Sequence, residues 1–506
     1  MSTRAFDRLE PALRAWQALL GEPHVRRFPS ESLADVAEFP SRHVPAMLSP
    51  NSREEVVAIV AIANEHGIPL YTVSTGRNWG GGSRMPVREG VLLALGRMNR
   101  ILEVNERFRY VVLEPGVTQG QLADHLKRQG CALVPSIGGA GTTVSPLGNA
   151  LERGSGVFGC KVDECLAMEV VLGNGEVIRT GLWNYLGDCD PFVHCYPTGL
   201  GPDLRGLFIQ SNLGIVTRAV LRLYPRRHRS MVVVGAGPGG LAGLVDAAHE
   251  LRRSGLLDKG LDIADAAADI DYYPNPSGEA LADPEVLGGR LSWTLIGCLP
   301  GPERIAAAAR EEIEAYFCPR PSYPIHFFST QDQPIQQQPG WIQEWTKRYM
   351  GLPDNSHLDV FLCRGSRDYD LDNNPDAMGF LAVNLVVPAQ GQIATRVIDL
   401  VDEVATALDL PEYIRSFSEL GVGALKGHFS LMFDRSDEAA VSRAHRWKDQ
   451  VLRELRTIGI YPQRLDVDSM STFARASQDE YWRMLRRIKA GLDPNGILSP
   501  GRYLYE

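Results

Sequence analysis

The sequence predicts an α+β protein of at least two domains, and three observations carry that prediction. Short β-rich runs alternate with helical stretches over about the first 225 residues. The basic break Arg226-Arg227-His228-Arg229 then opens a second α/β region. The length of 506 residues accommodates two to four domains at roughly 150 residues each.

The elements follow in chain order. Pro50-Asn51-Ser52-Arg53-Glu54-Glu55 reads as a helix start, with Ser52 as N-cap and Glu55 closing a capping box. Val56, Val57, Ile59 and Val60 recur at helical spacing, and Gly67 ends the run. IPLYTVS (68–74) is a strand entering a glycine-rich turn, Thr75 to Ser83. VLLAL (91–95) and YVVLEPGV (110–117) read as further strands, and MEVVLGNGEVIRTG (168–181) as a hairpin around Asn174-Gly175. Beyond residue 226, LSWTLIGCL (291–299), MGFLAVNLVV (378–387) and HFSLMF (428–433) are strand candidates separated by helices such as 303–317. QDQPIQQQPG (331–340) reads as a long surface loop. The last helix, YWRMLRRIKAGL (481–492), leads into the turn-rich DPNGILSPGRY.

Hydrophobic residues are 44% and charged residues 22% of the chain, an ordinary globular composition. Acidic residues outnumber basic ones, 61 to 52, giving a net charge of −9. That balance opposes binding to a phosphate backbone, which needs clustered Lys and Arg. No apolar run reaches the ~18 residues that span a bilayer. The N-terminal MSTRAFDRLEPALRAWQALLGEP lacks the apolar core of a signal peptide, so a soluble cytoplasmic protein is expected. Eight cysteines include no C-x-x-C pair, and the Cys160–Cys165 and Cys189–Cys195 spacings fit no common zinc pattern, so no metal is expected.

Two glycine-rich motifs call for a function. Gly235-Ala236-Gly237-Pro238-Gly239-Gly240 follows a strand and precedes a helix, the pattern of a dinucleotide fold. No clean second strand ending in an acidic residue follows within 30 residues, so a tight turn before an ordinary helix competes with that reading. Ser74-Thr75-Gly76-Arg77-Asn78-Trp79-Gly80-Gly81-Gly82-Ser83 is the stronger candidate, because its glycines let successive N–H groups form a nest for phosphate.

The chain resembles the flavoproteins of the vanillyl-alcohol oxidase and 4-cresol methylhydroxylase type. The resemblance is carried, in order, by NSREEVVAIVAIANEHGIPLYTVSTGRN, VLLALGRMNRILEVNERFRYVVLEPGVT, SPLGNALERG, MEVVLGNGEVIRTG, GLFIQSNLGIVT and DPNGILSPGRY. It implies a two-part FAD-binding domain of p-cresol methylhydroxylase (PCMH) type, residues 1–225 with 475–506, and an α/β cap, 226–474. It also implies that Ser74, Thr75, Gly76, Arg77 and Asn78 cradle the FAD pyrophosphate, with Gly80, Gly81, Gly82 and Ser83 continuing towards the flavin. Pro146, Asn149, Glu152 and Arg153 would line the cofactor, and Gly214, Ile215 and Val216 would contact its adenine end. Arg502 matches a cation near the pyrimidine edge of the flavin, where it would stabilise the anionic reduced ring.

Three departures modify that expectation. Of the two tyrosines and the arginine that hold a phenolate in the family, this sequence has Gly81, Gln463 and Arg464, with Tyr461 two positions before Gln463 as a potential substitute. The aspartate beside flavin N5 corresponds to Cys160, which is either a small packing residue or a flavin-facing thiol. The cap-strand position of the covalent tether, five residues before Pro388, is Val383, so the FAD is expected to be non-covalent. His428 matches a cap-strand histidine near the active site, as a structural or a functional group.

The implied reaction is oxidation by hydride transfer to flavin N5. Its substrate would be a para-substituted phenol, an aromatic alcohol or a related intermediate. A hydroxy acid, a non-phenolic alcohol, an amine, or flavin use without net oxidation are the alternatives. Oxygen or a protein would accept the electrons, and a homodimer is the family's expectation.

Overall fold

The computed structural model describes residues 3–28, 33–82, 84–188, 190, 192–265, 292–330, 340–363, 368, 370–410, 413–475 and 479–504. Ser83 and the stretch 331–339 lie outside them.

The helix Arg53–His66 forms where the capping chemistry places it. Ser52 Oγ accepts a hydrogen bond from Glu55 N at 3.1 Å, and Gly67 closes the helix at φ 64°. The Glu55 carboxylate reaches Asn51 N at 2.6 Å instead of closing the box on Ser52. Val56, Ile59, Val60 and Ala63 are buried against Leu9, Ala12, Leu13 and Trp16 of the helix Thr3–Leu20. Arg53–His66 connects the strand Ala46–Leu48 to Leu70–Val73, with Val91–Ala94 parallel between them and Val25–Arg27 antiparallel at the edge.

A second, antiparallel sheet has the order Val177–Arg179, Cys165–Val171, Ile215–Arg222, Tyr110–Leu113, Ile101–Asn105. The predicted hairpin is its edge, with Val171 opposite Val177. After the helix Glu480–Leu492 the chain returns to the first sheet. Leu70 N donates to Ile497 O (2.8 Å) and Tyr71 Oη to Pro500 O (2.8 Å).

The remaining strands build one antiparallel sheet: Ile325–Ser329, Ser230–Ala236, Trp293–Cys298, Asp262–Asp265, Ile414–Gly421, Ala424–Phe433, Gly379–Pro388 and Tyr461–Arg464. Its two faces differ because strand side chains alternate. Leu381, Val383, Leu385, Val387, Leu425, Phe429, Leu431 and Phe433 pack into a core with the helices Leu241–Arg253, Gly391–Ala407 and Glu438–Thr457. Of the intervening residues Asn384, Lys426, His428 and Ser430 face a cavity against the FAD-type half of the chain.

The Gly235–Gly240 motif belongs to this sheet and is a turn. Gly235 sits in a strand that pairs antiparallel with Trp293–Cys298, whereas a dinucleotide fold needs parallel neighbours around that turn. Among the described residues no helix is long and apolar enough to cross a membrane.

Candidate active site

A cavity of about 480 Å³ lies between the polar face of the eight-stranded sheet and the other half of the chain. Its first wall starts at the end of the strand Leu70–Val73. There the loop turns through Gly76 at φ 67°, a left-handed conformation that glycine adopts at little cost. Among the described residues, the backbone N–H groups of Thr75, Gly76, Arg77 and Asn78 have no protein acceptor. Ser145 N donates to Thr75 Oγ1 at 3.2 Å, holding the loop against the helix Pro146–Leu151. A Cβ on Gly148 would stand 2.3 Å from Ser74 Oγ, so only glycine permits that approach. The Arg77 side chain turns away from the nest and joins Arg84 on Asp370, pinning the loop to the cap. Four unsatisfied donors beside an elongated cavity fit a pyrophosphate, and Leu147, Leu151, Phe208, Ile215 and Val216 supply apolar walls for the rings of FAD.

Most expected cofactor residues line this cavity: Ser74 to Asn78, Gly82, Asn149, Glu152, Arg153, Gly214, Ile215, Val216 and Arg502. Gly80, Gly81 and Pro146 do not. Gly80 lies against Phe380, Gly81 folds back on Asn78 O at 3.0 Å, and Pro146 starts a buried helix turn. Arg502 is no lone cation, because Glu152 accepts from its Nη2 and from Tyr503 Oη (2.8 Å).

The second wall is assembled by strand register. Thr294, Ala264, Ser416, His428, Asn384 and Arg464 are successive partners across five pairings, forming one row on the cavity face. The neighbouring row is Ile296, Asp262, Ser418 and Lys426. All ten of these residues line the cavity. His428 is held at both nitrogens, Nδ1 by Asn384 Oδ1 at 2.9 Å and Nε2 by Ser430 Oγ at 3.2 Å. An Asn384 oxygen at Nδ1 calls for a proton on that nitrogen.

The Arg464 guanidinium makes no hydrogen bond or ion pair among the described residues, although its backbone pairs with Asn384. Lys426 Nζ donates to Ser155 Oγ at 2.9 Å across the seam between the two halves. Burial, then repulsion from Arg464, pushes the Lys426 ammonium down to about 8. Burial pushes the Asp262 carboxyl up to about 7, against the opposing pull of Lys426 and Arg348. Gln463 closes the seam by donating from Nε2 to Arg153 O at 2.6 Å.

Two residues expected at the reacting end lie elsewhere. Cys160 pairs with Ser155 in a two-residue hairpin, outside the cavity lining, and burial raises its thiol above the ordinary value. It packs beside the seam, and the same burial disfavours its thiolate. Tyr461 is 51% exposed at the sheet edge, because an irregularity in register between Asn384 and Leu385 separates it from the row that contains Arg464. Sequence reasoning missed Asp262, Lys426, Ser416, Ser418 and Thr294. Their signal was the polar half of an alternating pattern, which reads equally as a solvent face.

The comparisons agree with this geometry. Residues 44–181 match the family described as FAD binding domain, and residues 467–503 the C-terminal domain of FAD linked oxidases. The chain is 33% identical over 544 residues to 1'-carboxy-chondrochloren decarboxylase of Chondromyces crocatus, covering 98% of this chain and 97% of that protein. It is 26% identical to the flavoprotein subunit of 4-cresol dehydrogenase (hydroxylating) of Pseudomonas putida, covering 97% and 94%. Substrate-bound p-cresol methylhydroxylase has the same fold, with TM-score 0.85 at 24% identity over 99% of this chain and 97% of that one. So does 4-ethylphenol oxidase from Gulosibacter chungangensis, with TM-score 0.83 at 26% identity over 98% and 97%. A phosphate-accepting loop, a returning C-terminal segment and full-length kinship place the chain in the FAD-linked oxidoreductases of the 4-cresol methylhydroxylase and vanillyl-alcohol oxidase type.

Proposed function

We propose that this flavoenzyme oxidises a small organic acid, holding its carboxylate on Arg464 and Lys426. The observation that carries the reading is the pair of cavity cations, of which Arg464 has no carboxylate partner among the described residues. A half-buried guanidinium without a carboxylate partner is available to an incoming anion, and its fork matches a carboxylate in geometry. The positions that hold a phenolate in related phenol oxidases are Gly81, turned onto its own loop, and Gln463, committed to Arg153. The name of the Chondromyces relative adds that a protein of this length and kind acts on a carboxy-bearing molecule.

In this reading residues 1–225 and 475–506 hold FAD, and 226–474 present the substrate to it. The FAD supplies a two-electron acceptor for hydride. Arg464 and Lys426 orient the acid, the hydrogen-bonded Asn384–His428–Ser430 row borders it, and closure of the two halves excludes water. The FAD is bound without a covalent tether at the cap strand, where Val383 points into the helix-side core and Asn384 faces the cavity.

The test is anaerobic titration of the yellow holoenzyme with mandelate and other aryl hydroxy acids, with their methyl esters and with para-alkylphenols. Bleaching of the flavin by acids and not by esters is expected. Equal bleaching by the esters, or bleaching by phenols alone, overturns the carboxylate reading.

A further inference from the structure

We propose that Asp262 is the proton acceptor of this site, taking the proton of a substrate hydroxyl or amine as the adjacent carbon is oxidised. The inference rests on the reading that the substrate is an acid bound by Arg464 and Lys426. The aspartate that relatives carry beside the flavin is replaced here by Cys160, which is buried outside the cavity. A replacement carboxylate comes from a different element. The strand Asp262–Asp265 points Asp262 into the cavity, in the same row as Ser418 and Lys426.

Three features separate Asp262 from a structural carboxylate. Its carboxylate makes no hydrogen bond and no ion pair within 4.0 Å among the described residues, whereas that of Asp265, on the same strand, is tied to Arg415 by two bonds. It lies two strands from Lys426, about 10 Å along the sheet, so a bound molecule fits between base and cation. Its surroundings also set it for proton exchange near neutral pH. Burial holds it up to about 7, and the charged and titratable groups facing it are Lys426 from Ala424–Phe433 and Arg348 and Tyr349 from Gly340–Tyr349. Arg348 is itself paired with Glu344 at 2.7 Å, which leaves Lys426 as the cation free to follow Asp262.

The step balances as follows for a hydroxy acid. The O–H bond breaks and its proton passes to the Asp262 carboxylate, while that electron pair forms the new C=O bond. The C–H electron pair leaves as hydride to the FAD, which is the oxidant. Asp262 then returns its proton to water after the product leaves.

The experiment compares wild type with Asp262→Asn and Asp262→Glu, all as FAD-loaded full-length protein. The first readout needs no turnover: phenylacetate, which has no hydroxyl, is titrated against the oxidised flavin spectrum from pH 5.5 to 9. In wild type its affinity falls severalfold as pH rises through about 7, because ionised Asp262 repels the anion, and again through about 8 as Lys426 loses its charge. Asp262→Asn loses the first step, and Asp262→Glu keeps a step. The second readout is the anaerobic reduction rate with mandelate, or with whichever hydroxy acid bleaches wild type. Asp262→Asn lowers it at least ~100-fold with little change in affinity for the acid, and Asp262→Glu recovers part of the loss. Should Asp262→Asn fail to take up FAD, Asp262→Ser is read in the same way. Retained reduction in the variant, or an unchanged pH profile, overturns the role of Asp262 and leaves the carboxylate reading standing. A wild type that neither binds phenylacetate nor is bleached by any hydroxy acid overturns that reading, and this inference with it.

Discussion

Replacing Arg464 by Gln removes one charge from the cavity without leaving any carboxylate in the protein unpaired. The fold should therefore be as stable as before, or slightly more so, since the substitution also relieves repulsion on Lys426. Ligand binding should respond quite differently. A hydrogen bond to a charged group contributes about 1.5–3 kcal/mol, so loss of the guanidinium should weaken a bound carboxylate roughly 10- to 150-fold. The Lys426 ammonium, now without its cationic neighbour, should titrate above its present value of about 8. Arg464→Lys should fall between, because it restores the charge and not the two-pronged geometry. Phenylacetate titrated against the flavin spectrum of the holoenzyme gives the affinity, and FAD retained on gel filtration gives the cofactor content. An unchanged phenylacetate affinity in Arg464→Gln, with FAD retained, refutes the assignment of Arg464 to the substrate. Loss of FAD in that variant would show instead that the residue serves the cofactor.

Four further outcomes follow from the packing. Glu164 is buried and pushed up to about 7, by burial first and against the pull of Lys161. The folded state thus holds a proton that the unfolded chain releases near 4.5, so stability falls as pH rises from about 4.5 to 7 and then levels. Glu164→Gln should flatten that decline, worth at most about 3 kcal/mol, in urea melts at pH 5 and pH 8. Asp493 accepts from Ile497 N (3.1 Å) and Leu498 N (2.8 Å) and pairs with the buried Lys489 (2.6 Å). Asp493→Ala should cost about 3–5 kcal/mol in a denaturant melt, because the buried Lys489 loses this carboxylate and the Ile497 and Leu498 N–H groups lose their acceptor. Gly260→Ala puts a Cβ 2.0 Å from Val157 O at φ 90°, so melting should show a loss of at least 1–3 kcal/mol and the seam next to Asp262 should shift. Cys160→Ser should leave FAD content and anaerobic reduction within about twofold of wild type; a large loss of reduction would restore the thiol to the chemistry.

Helix Arg53–His66 was legible because its instructions are local: Ser52, Glu55 and Gly67 act within a few residues of themselves. The phosphate loop was legible for the same reason. Its glycines and the preceding strand are contiguous, and the backbone N–H groups that matter need no partner from elsewhere. The turn at Gly235–Gly240 was ambiguous because its meaning depends on whether the neighbouring strand is parallel, and that neighbour, Trp293–Cys298, lies more than fifty residues away.

The sequence by itself determined the FAD-type half and the returning C-terminal segment. Only the tertiary structure decided which residues line the cavity. Alternation along Asp262–Asp265, Ile414–Gly421 and Ala424–Phe433 fixes that each strand has a polar side, and no local rule says whether that side faces water or a cavity. Antiparallel register brings Asp262, Lys426 and Arg464, drawn from three strands distant in sequence, onto one face, and docking of the other half encloses them. Desolvation, with repulsion from Arg464 on Lys426, then moves the Asp262 and Lys426 proton affinities towards neutrality against their mutual attraction, a property of the enclosure rather than of either residue.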